Sequence, residues 1–224
     1  MPLDEARAYR ARPSPLLARA PRCKLDEVAD RTLLLTYLKR RFGYRSYLEL
    51  GCRGDANLKR VPFADRVGVD PVEGGTVRAT SDGFFAACGR TFDLIFVDGL
   101  HDSAQVVRDV RNALSRLNPG GCVVLHDCKP LFEREAAFPM PPGVACWNGT
   151  VWQAVAHLRT LADVDVAVGD FDWGVGVVRV RPNRAPLALA KPYTELTWAD
   201  YCLNVDAYLR PSTMRELHVW LGER

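Results

Sequence analysis

The sequence has no apolar run approaching the roughly 20 residues that cross a bilayer, so no spanning helix is expected in it. Its opening stretch, MPLDEARAYRARPSP, lacks the apolar segment of a secretion signal. It has little net charge: 30 basic against 27 acidic residues leave +3, too little by itself to draw in nucleic acid. The basic residues gather early, in RAYRARPSPLLARAPR and LKRRFGYR, and residues 1–24 read as a flexible basic arm. No cysteines have the CxxC spacing of a zinc site. The seven cysteines (23, 52, 88, 122, 128, 146 and 202) are odd in number, and several fall in or beside apolar runs. They are expected as reduced, apolar filler. With the missing signal, this sets the expectation of a cytoplasmic protein, in which the NGT at 148–150 carries no glycan. No internal repeat is present. These absences argue against membrane and nucleic-acid partners.

What is present is an alternation. LDEVADRTLLLTYLKRRFG, 25–43, spaces its leucines for a helix and stops at Gly43. SYLELG (46–51), RVGVD (66–70), FDLIFVD (92–98) and GCVVLHD (121–127) read as buried strands. Between the last two, SAQVVRDVRNALSRL follows helical spacing and is ended by NPGG, 118–121. A proline-rich loop then runs over 129–149. A helix in TVWQAVAHLRTLAD follows, then the strands VDVAVGD and GVGVVRV. DFDWG, 170–174, reads as the hairpin turn between them rather than as a site. Strands that alternate with helices and are apolar throughout imply an α/β, Rossmann-like, doubly wound fold with a mostly parallel sheet. The domain is expected over 25–182 and a helical extension over 183–224.

In such a sheet, ligands bind beyond the carboxyl ends of the strands, where strand order reverses. Polar residues recur at those ends. The first strand ends in Glu49-Leu50-Gly51-Cys52-Arg53-Gly54-Asp55 and the second in Asp70. Gly51 permits a tight turn or a close backbone approach to a ligand. Asp70 can accept from both ribose hydroxyls of an adenosine-containing cofactor. The loop GCRGDA lacks the GxGxxG that cradles a pyrophosphate, and there is no Tyr-x-x-x-Lys pair. Both absences count against a nicotinamide-dependent Rossmann oxidoreductase, which stands as an alternative. S-adenosylmethionine has no phosphate and suits a looser loop, with Glu49 near its amino group. Ser81 and Asp82, after an expected third strand, offer an acceptor for the adenine amino group. They read equally well as the N-cap of a helix starting at Gly83.

Two strands end in the same chemistry: FVDGLHD brings Asp98 and His101, and VVLHDC brings His126 and Asp127. The ordered set YLELGCRGD, GVDP, TSDGFF, FDLIFVDGLH, RDVRNALSRLNPGG, VVLHDC and WNGTVW resembles class I S-adenosylmethionine-dependent methyltransferases. More narrowly it is similar to the macrocin-type sugar O-methyltransferases of bacteria, over about residues 25–180. The resemblance implies a seven-stranded sheet whose last strand is antiparallel, with the cofactor over the first strands. It also implies a divalent metal held by acids after the fourth and fifth strands, the places of Asp98 and of His126-Asp127. The family has two adjacent acids at the second of these places; here a histidine stands before one acid.

Three readings of the paired ends stay open. In the first, Asp98, His126 and Asp127 hold Mg²⁺ or a transition metal that acidifies an acceptor hydroxyl. In the second, a histidine is the general base and an aspartate orients it. In the third, the acids cap helices and the histidines are merely buried. The expected catalytic residues are His101, His126 and Asp127. The expected cofactor side is Glu49, Gly51, Arg53, Asp70, Ser81, Asp82 and Asp98. The expected reaction is methyl transfer to a hydroxyl of a small molecule, a sugar or natural-product intermediate, with N-methyl transfer as the alternative. The 129–149 loop, with Phe132, Phe138, Met140 and Trp147, is expected as a lid over the acceptor or as a flap against a homodimer partner.

Overall fold

The computed structural model describes residues 30–222. The basic arm expected over 1–24, with Cys23, lies outside them. The first helix among the described residues, α1 (Arg31–Phe42), begins where Asp30 accepts the Leu33 N–H at 2.8 Å and ends at Gly43 in the left-handed region. That is the stop the sequence signalled.

The sheet contains β1 (Ser46–Leu50), β2 (Asp65–Val69), β3 (Phe92–Val97), β4 (Leu117–Leu125), β5 (Val164–Gly169), β6 (Val175–Val180) and β7 (Pro211–Ser212). Their order is β2-β1-β3-β4-β6-β5-β7. The first four are parallel, and β6 runs antiparallel to both β4 and β5. The late antiparallel strand is thus present, and the two-residue β7 follows it as a parallel edge on β5. The strand expected before Ser81 does not form. Gly74 and Gly75, both at positive φ, fold that segment back so tightly that only a Val69–Val77 bridge remains. Asp98 and Asp127 therefore follow the third and fourth strands, not the fourth and fifth.

Alternation along each strand sends successive side chains to opposite faces. Leu48, Leu50, Ile95, Val97, Val123 and Leu125 pack on one face. Their partners there come from α4 (Ser103–Leu114), α5 (Val151–Leu158) and α6 (Trp198–Leu209). Tyr47, Leu94, Phe96 and Val124 take the other face, with Leu34, Leu35 and Leu38 of α1 and Trp220 of α7 (Met214–Gly222). Both faces are covered, which is why the strands read as unbroken apolar runs. The segment expected as an extension, 183–222, contributes to both cores. Among the described residues no helix is long and apolar enough to cross a membrane.

One boundary differs from the sequence reading. α4 stops at Leu114, and the NPGG segment lies inside β4 as an irregularity. Phe92 pairs with Leu117 but Leu94 with Cys122, so extra residues are looped out of the ladder. The Asn118 amide ties this bulge to Asp93 at 2.7 Å.

Candidate active site

Strand order reverses between β1 and β3, and their ends meet closely there. The Asp98 N–H donates to the Leu50 carbonyl at 2.8 Å, and Gly51 donates to Val69 at 2.9 Å. Gly51 has φ 84°, and a Cβ on it would lie 2.1 Å from the Asp98 carbonyl oxygen. Only glycine fits that approach.

On the β2 side, one Asp70 oxygen accepts from the N–H groups of Cys52 and Arg53 at 2.9 and 3.1 Å. The other accepts from Val72 and Glu73 at 2.8 and 2.9 Å. Burial penalises this carboxylate, but the four N–H donors outweigh it and hold its pKa below the usual value. Asp70 therefore shapes both loops around the crevice, and a ribose hydroxyl reaching it must share the carboxylate acceptor with these N–H donors. The Arg53 side chain is exposed. Ser81 and Asp82 turn toward α4: the Gln105 amide reaches them at 3.3 and 3.4 Å, and Arg108 stands 3.7 Å from Asp82. The cap expected of these two belongs to Thr80, whose hydroxyl accepts the Gly83 N–H at 3.1 Å. The helix it caps, α3, is Ser81–Ala87 and starts two residues earlier than expected. Glu49 is buried on the α1 face, with one oxygen accepting from the Tyr47 hydroxyl at 2.6 Å and the Asn57 amide at 2.8 Å. Burial pushes its pKa up to about 7 against these two hydrogen bonds, and the nearby Asp98 adds to the rise.

The paired His/Asp ends do come together. His101 Nδ1 lies 2.8 Å from the Trp147 carbonyl, which can only accept, so Nδ1 carries a proton. His101 Nε2 then faces Asp98 Oδ1 at 3.6 Å and Asp127 Oδ2 at 3.5 Å. Burial disfavours charge on His101, yet the two aspartates raise its pKa. Burial likewise opposes ionisation of Asp98, but contacts with both histidines hold it well below the carboxylate range. Asp127 sits at φ 57°, a left-handed conformation that costs energy in a non-glycine residue. The Asn148 amide donates to Asp127 Oδ1 at 2.9 Å, while the buried Asn148 Oδ1 has no partner. Of the neighbouring acids only Asp102 is a helix cap, accepting the Gln105 N–H at 3.2 Å at the start of α4.

Single atoms of Asp98, His101 and Asp127 lie within 4.8 Å of one another, the group among the described residues with the donors for a metal ion. His126, expected among the ligands, is otherwise engaged. Its Nδ1 stands 3.1 Å from Asp127 Oδ2 and 3.3 Å from Asp98 Oδ1. Its Nε2 is 2.7 Å from Arg31 Nη1 and 3.5 Å from Asp172 Oδ1. Asp172 also accepts from the Arg31 backbone N–H at 2.8 Å. The DFDWG segment is thus the expected turn and also delivers a side chain to the site. The sequence reading named neither Arg31 nor Asp172. An acid just past the end of β5 was a usable signal for Asp172; Arg31, in a basic stretch, had none.

Residues 55–128, from the β1 loop to just past Asp127, match a family described as a methyltransferase domain. No curated protein matches the sequence. Cofactor-bound Rv0187 from MTB is similar in fold, with a TM-score of 0.52 and 17% identity over 71% of this chain and 85% of that one. So is a protein from Klebsiella pneumoniae provisionally assigned as an O-methyltransferase, at 0.51 and 15% identity over 74% and 94%. Over residues 55–128 the chain carries a methyltransferase-domain match, and its fold is shared with these structures.

The long loop after β4 is ordered by contacts within itself and with its neighbours. Trp147 donates from Nε1 to the Ala137 carbonyl at 2.7 Å and stacks on His101 with ring centroids 4.8 Å apart. The Glu135 carbonyl takes the N–H groups of Asn148 and Gly149 at 3.0 and 2.8 Å, and the Tyr201 hydroxyl holds the Pro130 carbonyl at 3.0 Å. Leu131, Phe138 and Met140 are left exposed on it.

Proposed function

We propose that this protein moves the methyl group of S-adenosylmethionine onto a hydroxyl of a small molecule held against Asp98, His101 and Asp127. The observation that carries the reading is the convergence of those three side chains beside the β1/β3 reversal point. Two carboxylate oxygens and one imidazole nitrogen suit Mg²⁺, Mn²⁺ or a related divalent ion. The chain also orients the donors as a metal site requires: Trp147 fixes which His101 nitrogen is free, and Asn148 fixes Asp127. A divalent ion bound there lowers the pKa of an acceptor hydroxyl.

The remaining work falls to the chain. The Gly51–Arg53 turn and the 71–73 loop, both tied to Asp70, form the cofactor crevice. Alignment of acceptor and methyl donor for in-line displacement is worth several kcal/mol. The 129–149 loop supplies an aromatic wall in Trp147 and Phe138, stacked 6.0 Å apart, and acts as a cover over a sugar or natural-product acceptor. Proton removal by an unaided histidine is the second reading: Asp98 and Asp127 beside His101 stabilise the protonated ring that such a step produces.

Methyl transfer measured over matched hydroxyl and amine acceptors, with and without EDTA, tests the reading. Hydroxyl acceptors should be used, EDTA should abolish turnover, and Mg²⁺ or Mn²⁺ should restore it. Turnover indifferent to EDTA contradicts the cation reading, and turnover of amines alone contradicts the hydroxyl reading.

A further inference from the structure

We propose that Asn148 is a fourth protein donor of the proposed cation site, giving its side-chain oxygen to the ion while its amide nitrogen holds Asp127. The inference rests on the cation reading above and adds a residue to it. Asn148 is fully buried, and its Oδ1 has no hydrogen-bond partner among the described residues. A buried amide oxygen without a donor is rare in folded proteins, because its desolvation goes uncompensated. Turning the amide over does not relieve it. Nδ2 donates to Asp127 Oδ1 at 2.9 Å, and the flipped amide would set oxygen against carboxylate. The orientation is therefore fixed, and Oδ1 is left for a donor or a cation.

The local fold explains why this side chain lies here. Residues 147–150 wrap around His101. The Trp147 carbonyl faces His101 Nδ1 at 2.8 Å, and the Thr150 N–H donates to the His101 carbonyl at 2.9 Å. Gly149, at φ 57°, lies so close that a Cβ on it would be 2.1 Å from the His101 carbonyl oxygen. With its neighbours pressed on His101, Asn148 reaches across to Asp127, and its own N–H is anchored on the Glu135 carbonyl at 3.0 Å. The amide thus links two of the three residues that converge on the site. Its hydrogen bond takes one Asp127 oxygen and leaves Oδ2, which faces His101 Nε2 at 3.5 Å. Charge favours an amide as the further donor. Asp98 and Asp127 already match a divalent ion, and side-chain amide oxygens are ordinary ligands of such ions. The amide adds a donor without adding charge. Four protein donors also leave an octahedral ion fewer places for water than three would.

The test uses the full chain loaded with Mn²⁺, with binding checked first by calorimetry. Asparagine carrying carbon-13 at its side-chain carbonyl should give a carbon strongly coupled to manganese in electron–nuclear double resonance. Asn148→Ala should remove that coupling. Line broadening in oxygen-17 water counts the waters on the ion. Asn148→Ala, matched to wild type in fold by circular dichroism, should carry more bound water and bind Mn²⁺ about tenfold more weakly or worse. Weakened binding with an unchanged water count overturns the inference, because Asn148 would then act only by holding Asp127. Mn²⁺-loaded wild type without the carbon coupling overturns it as well, whether or not the variant folds, and leaves the cation reading standing. A wild type that binds no Mn²⁺ sinks the cation reading and this inference with it.

Discussion

Glu49 is a carboxyl group 1% exposed to solvent, served by one hydroxyl and one amide at a single oxygen. Its raised pKa makes stability depend on pH. The unfolded chain releases this proton near pH 4.3, the folded chain near 7. Between the two, the folded state binds more protons, so the contribution is full below the unfolded value and is lost as pH rises through the folded one. Wild type should lose about 1–3 kcal/mol in urea unfolding between pH 5 and 8 relative to Glu49→Gln, which has no proton to lose. Equal losses in the two proteins would show that Glu49 is not the titrating group. His101 belongs to this scale too. His101→Ala should cut Mn²⁺ affinity at least tenfold, the equivalent of about 1.4 kcal/mol, and leave S-adenosylmethionine affinity within about threefold by calorimetry. A parallel loss of both would place His101 in the cofactor crevice.

At the scale of elements, the close meeting of β1 and β3 is what creates a crevice with acids on its rim. Gly51→Ala places a Cβ at a positive φ and 2.1 Å from the Asp98 carbonyl. Chemical denaturation should show a loss of about 3 kcal/mol or more, or no folded protein at all. A loss under about 1 kcal/mol would mean that the two strand ends can separate freely. The strands, and the placement of Asp98, His101 and Asp127 at their ends, were legible in the sequence because the signal is local: an apolar run that stops at polar residues. The partners of His126 were not. Arg31 and Asp172 meet across 141 residues, through a helix start and a hairpin turn that each look like ordinary solvated surface. The missing strand before Ser81 was misread for a related reason. Its fate was set by two glycines at positive φ and by the Asp55 and Asp70 carboxylates, which accept the Gly75 and Val72 N–H groups. The long helix read through Leu117 failed where β4 drew that residue into pairing with Phe92.

At the scale of the whole molecule, the C-terminal segment is tied to the sheet through one acid. Asp165 on β5 accepts from Arg181 at 2.7 and 2.9 Å, from Arg210 at 3.3 Å and from the Trp220 ring N–H at 2.9 Å. Its carboxylate is nearly buried, so removing it strands donors that water cannot readily reach. Asp165→Ala should cost about 3–5 kcal/mol in thermal or urea unfolding. A cost near zero would mean that α7 is held by its apolar face alone. Asp70 acts at the same scale from the opposite side of the sheet, ordering two loops at once. Asp70→Ala should weaken S-adenosylmethionine binding at least tenfold, about 1.4 kcal/mol, in calorimetry; unchanged binding would separate those loops from the cofactor. What unites these parts is the cation site proposed at the strand ends for an acceptor hydroxyl. The most direct measurement is anomalous diffraction from crystals soaked with Mn²⁺ and the demethylated cofactor, recorded at the manganese edge. One peak bounded by Asp98, His101 and Asp127 is expected, with His126 outside its coordination sphere. No peak at saturating Mn²⁺, or one coordinated by His126 in place of His101, would contradict the account.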